Sequence, residues 1–82
     1  FTLNNPFYND LVIRFETIVP ERVTIRLYNL RGETIYSQKQ LFNRGTNTLT
    51  IPAAIFPLQG IYLVEVIDDY NKKITKKVLK VS

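Results

Sequence analysis

Apolar and polar residues alternate with a period of two along almost the whole chain. That pattern makes half-buried β-strands the elements this sequence is built to form. Leu11, Ile13 and Phe15 alternate with Val12, Arg14 and Glu16. Val23, Ile25 and Leu27 alternate with Thr24, Arg26 and Tyr28, and a weaker alternation runs from Glu33 to Gln40. Asn29 and Gly32 bracket a tetrad suited to a tight reversal, because glycine accepts positive φ, so residues 22–40 read as a β-hairpin. Asn43-Arg44-Gly45 reads as a turn into a strand over residues 46–51, which Pro52 ends for want of a ladder N–H. Residues 52–59 read as a connection crossing from one sheet to the other, with Ala53-Ala54-Ile55-Phe56 able to form a single helical turn. Gly60 opens the most apolar run, Ile61 to Ile67, which belongs in the middle of a sheet. Asp68-Asp69-Tyr70-Asn71 is the last turn, and residues 73–81 return as the last strand.

No segment carries a 3.6-residue stripe. Six strands, or seven if residues 1–3 add a short one, indicate an all-β fold: an immunoglobulin-like antiparallel β-sandwich. Its expected interior contains Ile13, Val23, Ile25, Leu27, Leu49, Val64 and Val66, with no α-helix longer than about two turns. The 82 residues suffice for one domain, and 45% hydrophobic content is that of a globular chain.

Composition also narrows the chemistry. The chain has no Cys, His, Trp or Met, so the usual ligands for zinc, copper and haem are missing, as are the usual general bases and thiol nucleophiles. The two serines, Ser37 and Ser82, have no histidine for a hydrolytic triad. Gly32, Gly45 and Gly60 stand too far apart for a phosphate loop. Asp68-Asp69 is the obvious carboxylate pair, but adjacent acids at a hairpin tip serve the turn. The expectation is a domain without catalysis, cofactor or metal. No apolar run reaches bilayer length, so no membrane insertion is expected. A net charge of +4 with interspersed acids and no recognised motif gives no case for nucleic acid. The chain opens Phe1-Thr2-Leu3, with neither Met nor a basic leader, and reads as residues 1–82 of a longer protein.

Four segments in order resemble the C-terminal sorting domain of type IX secretion system cargo, type A. Leu3-Asn4-Asn5-Pro6-Phe7 is similar to the family's opening Tyr-Pro-Asn-Pro-Phe motif, with Asn4 where the family usually has proline. Val23-x-Ile25-x-Leu27-Tyr28-Asn29-Leu30-Arg31-Gly32 resembles its strand and glycine turn. Leu58-Gln59-Gly60-Ile61-Tyr62-Leu63-Val64 resembles its glycine–x–tyrosine strand, and Lys76-Lys77-Val78-Leu79-Lys80 its basic terminal strand. The resemblance implies a sorting signal that follows a passenger domain in the same chain. It further implies the secretion machinery at the outer membrane as partner, and a secreted or surface destination reached through the periplasm, as in Bacteroidetes.

Lys72, Lys73, Lys76, Lys77 and Lys80 give the last eleven residues five positive charges and no acid. Lysine protects edge strands from aggregation. It also suits a strand shown to a receptor through an unpaired edge. The residues expected to be recognised are Lys76, Lys77, Val78, Lys80 and Val81, whereas Asn5, Pro6, Gly32, Gly60 and Tyr62 are expected to serve mainly the fold. Strand alternation puts Lys73, Thr75 and Lys77 on one face and Ile74, Lys76, Val78 and Lys80 on the other. The alternative reading is an accessory carbohydrate-binding or adhesive module, which requires a line of exposed coplanar rings among the five tyrosines and five phenylalanines.

Overall fold

A computed structural model describes residues 1–81; Ser82 lies outside the described residues. Seven strands follow the alternation: β1 (Thr2–Leu3), β2 (Leu11–Thr17), β3 (Glu21–Tyr28), β4 (Thr34–Phe42), β5 (Gly45–Ile51), β6 (Gly60–Ile67) and β7 (Lys73–Lys80). The only helical element among the described residues is one 3₁₀ turn, Ala53–Ile55, after Pro52. β1, β2 and β5 form one antiparallel sheet in the order β1-β2-β5; the other runs β4-β3-β6-β7. The two are packed as a sandwich whose core draws on both inner faces.

Inward positions follow the period of two. Leu11, Ile13 and Phe15 of β2 meet Val23, Ile25 and Leu27 of β3 and Tyr62, Val64 and Val66 of β6, all buried. Leu49 and Ile51 complete the three-stranded sheet's contribution. All seven residues expected in the interior are there, and each fully buried aliphatic side chain contributes about 1.5–3 kcal/mol. Phe7 and Phe56, both outside the regular strands, are buried too. Their rings meet edge-on at 4.8 Å, and Phe56 meets Tyr62 at 5.0 Å. The connection over residues 52–59 thus does more than cross between sheets, because it delivers a core ring.

The hairpin extends past its expected limits, because Glu21 pairs with Phe42 and the Phe42 ring stacks on Phe15. Gly45 belongs to β5 rather than to the preceding turn, paired with Thr17. Asn4, where the resemblance calls for proline, fastens the opening segment to β2. Its amide donates to the Asp10 carbonyl at 3.1 Å, and its oxygen accepts from the Val12 N–H at 2.7 Å.

Candidate functional site

β7 is an edge strand, hydrogen-bonded along one side to β6 with a regular register from Gly60–Lys80 to Ile67–Lys73. Its other side is divided. At the C-terminal end, the Leu79 N–H donates to Asn5 Oδ1 at 2.8 Å, and the Phe7 N–H donates to the Leu79 carbonyl at 2.9 Å. The Val81 N–H then donates to the Phe7 carbonyl at 2.9 Å, forming a short parallel bridge. Residues 5–7 therefore clasp the end of the chain, with a cis peptide at Asn5-Pro6 and Phe7 buried beneath. In an antiparallel pair the backbone groups of alternate residues point to opposite sides. Those of Lys73, Thr75 and Lys77 point the same way as Leu79's, and nothing pairs with them there among the described residues. Half of the edge is closed and half is open.

The lysines are distributed between the two faces as alternation requires. Lys76 faces the other sheet: its ammonium lies 2.6 Å from the Phe1 carbonyl oxygen and 4.5 Å from the Phe1 ring centroid. The Phe1 ring packs 5.4 Å from Phe15, so Lys76 helps close the sandwich at this margin. Lys80 and Val81 are half-buried beside the clasp, and Val78 is fully buried. In the folded domain Val78 is a core residue. Lys77 is exposed on the outer face opposite Leu63. Lys73 faces the same way and pairs with Glu65 at 3.8 Å.

Glu65, the one acid in β6, is 9% exposed. Tyr28 donates its hydroxyl to it at 3.0 Å, with Arg26 at 3.9 Å and Lys73 at 3.8 Å, so the carboxylate is compensated on three sides. Asp68 serves its own turn, whereas Asp69 ties that turn to the start of β3. The Asp68 carboxylate accepts from the Tyr70 and Lys72 N–H groups at 2.8 Å each, and Asp69 accepts from the Arg22 N–H at 2.9 Å. Tyr36, whose hydroxyl donates to Gln38, has its pKa raised by desolvation.

The remaining motif residues meet at the opposite end of β6 from Asp68. Gly32 (φ +82°) and Gly60 (φ +137°) take backbone conformations that L side chains rarely adopt, and a Cβ at either would touch nothing. The need for glycine there is conformational. The Asn29 side-chain oxygen accepts from the Arg31 and Glu33 N–H groups at 3.0 Å each, which fixes the β3–β4 turn. Tyr62 is buried, and its hydroxyl donates to the Leu58 carbonyl at 2.6 Å, pinning the connection where it enters β6.

Sequence reasoning identified Asn5 and Pro6 as a turn but missed that Asn5 and Phe7 hold the last strand. The only available signal was a carboxamide next to proline, followed by a large apolar residue in a polar loop. The exposed rings, Tyr8 and Tyr70, lie near opposite ends of β6, and Phe7, Phe15, Phe42, Phe56 and Tyr62 are in the core. They form no aromatic platform. No helix among the described residues is long and apolar enough to cross a membrane.

Comparison with known families gives one match: the model of the family described as the secretion system C-terminal sorting domain covers residues 4–81. No curated protein and no solved structure matches the chain.

Proposed function

The chain belongs to the family of secretion system C-terminal sorting domains and is a sorting signal for type IX secretion; from this premise we propose that the signal is read at β7. In this reading the passenger lies N-terminal to the domain in the same chain, and the machinery engages the sandwich at the outer membrane after periplasmic folding. The route ends at the cell surface or in the medium. The domain carries an address and performs no chemistry.

The observation behind this reading is the divided edge. Among the described residues, the backbone groups of Lys73, Thr75 and Lys77 are open to strand addition, and the Lys77 ammonium beside them has no partner. Main-chain pairing supplies affinity in strand addition, and flanking side chains supply selectivity. Lys76, Lys80, Val78 and Val81 shape the same strand: Lys76 from the sandwich margin, Val78 from the core, and Lys80 and Val81 from under the clasp. Asn5, joined to Pro6, holds the Leu79 N–H, Tyr62 pairs across from Val78, and Gly32 and Gly60 serve the backbone where they stand.

The test is a fusion of residues 1–82 behind a signal peptide and an inert reporter. A host with a type IX machine should carry the reporter to its surface or medium, and an otherwise identical host lacking the machine should retain it in the periplasm. Equal release from both hosts would reject the sorting function of this domain.

A further inference from the structure

Two of the most exposed aliphatic side chains in the protein are at the tips of two turns that the structure holds firmly. Leu30 is 69% exposed in the β3–β4 turn, which the Asn29 side chain fixes through two hydrogen bonds. Leu58 is 73% exposed before β6, where the Tyr62 hydroxyl pins its carbonyl. Turn tips ordinarily carry polar residues, since their backbone faces water. The two turns flank one groove of about 340 Å³, in which Leu30, Leu58 and Ile61 stand among the polar side chains of Asn29, Arg31 and Gln59. Ile61 and its cross-strand neighbour Leu79 point outward on the same face and are both about two-fifths exposed. Contiguous apolar surface on ordered structure is characteristic of an interaction site.

Charge narrows the occupant. No acid among the described residues lines the groove. Arg31 is exposed in its wall, and Lys77 stands one register step from Leu79 on the same face; neither has an ion-pair partner among the described residues. A second copy would set these cations against their own kind. The depression between Leu30 and Leu58 is shallow and open, so it fits a protein segment laid across it with one apolar side chain between the two leucines. We propose that this groove, at the Gly60 end of β6 and beside the end of β7, docks a protein segment of the secretion machinery that presents an apolar side chain flanked by carboxylates. This inference rests on the sorting reading and gives the domain a second contact, on the face next to the terminal strand.

The experiment places a photo-crosslinking residue at Leu58 of the passenger fusion, with the same residue at Ile18, 87% exposed and outside the groove, as control. Leu30→Ser with Leu58→Ser, and Arg31→Glu alone, are then measured for export. The expected result is a Leu58 crosslink to a component of the machine, absent at Ile18 and absent in a host without the machine. Export should slow at least about tenfold in both variants, the loss typical of truncating an interface anchor. Because the leucines are exposed, unchanged melting of the serine variant distinguishes lost docking from lost folding. Normal export of both variants, with the unaltered fusion still machine-dependent, overturns the groove and leaves the sorting function standing. A crosslink between two copies overturns it in favour of self-association. Sedimentation with vesicles of mixed phosphatidylcholine and phosphatidylglycerol that is lost in the serine variant overturns it in favour of a membrane surface.

Discussion

The two halves of β7 share a strand and a sheet partner, yet they are built differently on the side facing away from β6. Over residues 79–81 the backbone is occupied by Asn5 and Phe7 through three hydrogen bonds of 2.8–2.9 Å. Over residues 73–77 it is open among the described residues, and Lys76 reaches from it to Phe1. The closed half contains buried Val78 and half-buried Lys80, and the open half contains exposed Thr75 and Lys77. This separates two uses of the motifs. The opening Asn5-Pro6-Phe7 secures the chain end, which leaves the lysine-bearing part of the edge in a defined position for a partner.

The contrast breaks most severely if the clasp loses its core anchor. Phe7→Ala removes a ring that is 1% exposed and packs against Phe56, so it should cost about 3–5 kcal/mol in denaturant melts. Retention of wild-type stability would mean that residues 5–7 only rest on the surface. Tyr62→Phe deletes one hydroxyl hydrogen bond and keeps the ring, for an expected loss of about 1 kcal/mol. Asn5→Ala should cost about the same, but with a local signature: hydrogen exchange at Leu79 should accelerate while Ile74, bonded to β6, stays protected. Uniform acceleration along β7 would erase the distinction between its halves. Lys76→Gln should lose about 0.5–1 kcal/mol by removing the cation over Phe1. Lys77→Gln, fully at the surface, should change stability by less than about 0.5 kcal/mol, and a larger loss would assign Lys77 to the fold.

Much of this was legible in the sequence because one face of β2, β3 and β6 is buried. Where Val23, Ile25 and Leu27 must point inward, register and partner face follow, and Glu65 in an otherwise apolar run marked an outward position. The lysines of β7 could be assigned to faces for the same reason, but not to partners. That Lys76 reaches Phe1 depends on contact between residues 75 positions apart. The clasp is likewise formed by a loop segment whose side chains follow no period. Phe56 and the exposed Leu30 and Leu58 show the complementary failure: outside strands, hydrophobicity alone does not tell a core residue from a surface one.

The central claim, that the type IX machine reads this domain at its terminal strand, is tested most directly by exporting the passenger fusion with Lys76, Lys77 and Lys80 all changed to glutamine. The substitution keeps length and hydrogen-bonding capacity and removes three compact positive charges. Stability should fall by no more than the Lys76 loss of about 1 kcal/mol, so the domain stays folded. The account predicts that this folded variant accumulates in the periplasm of a host with an intact machine. Export at the unaltered rate would contradict it, leaving the lysines as protection for an edge strand and placing recognition elsewhere on the sandwich.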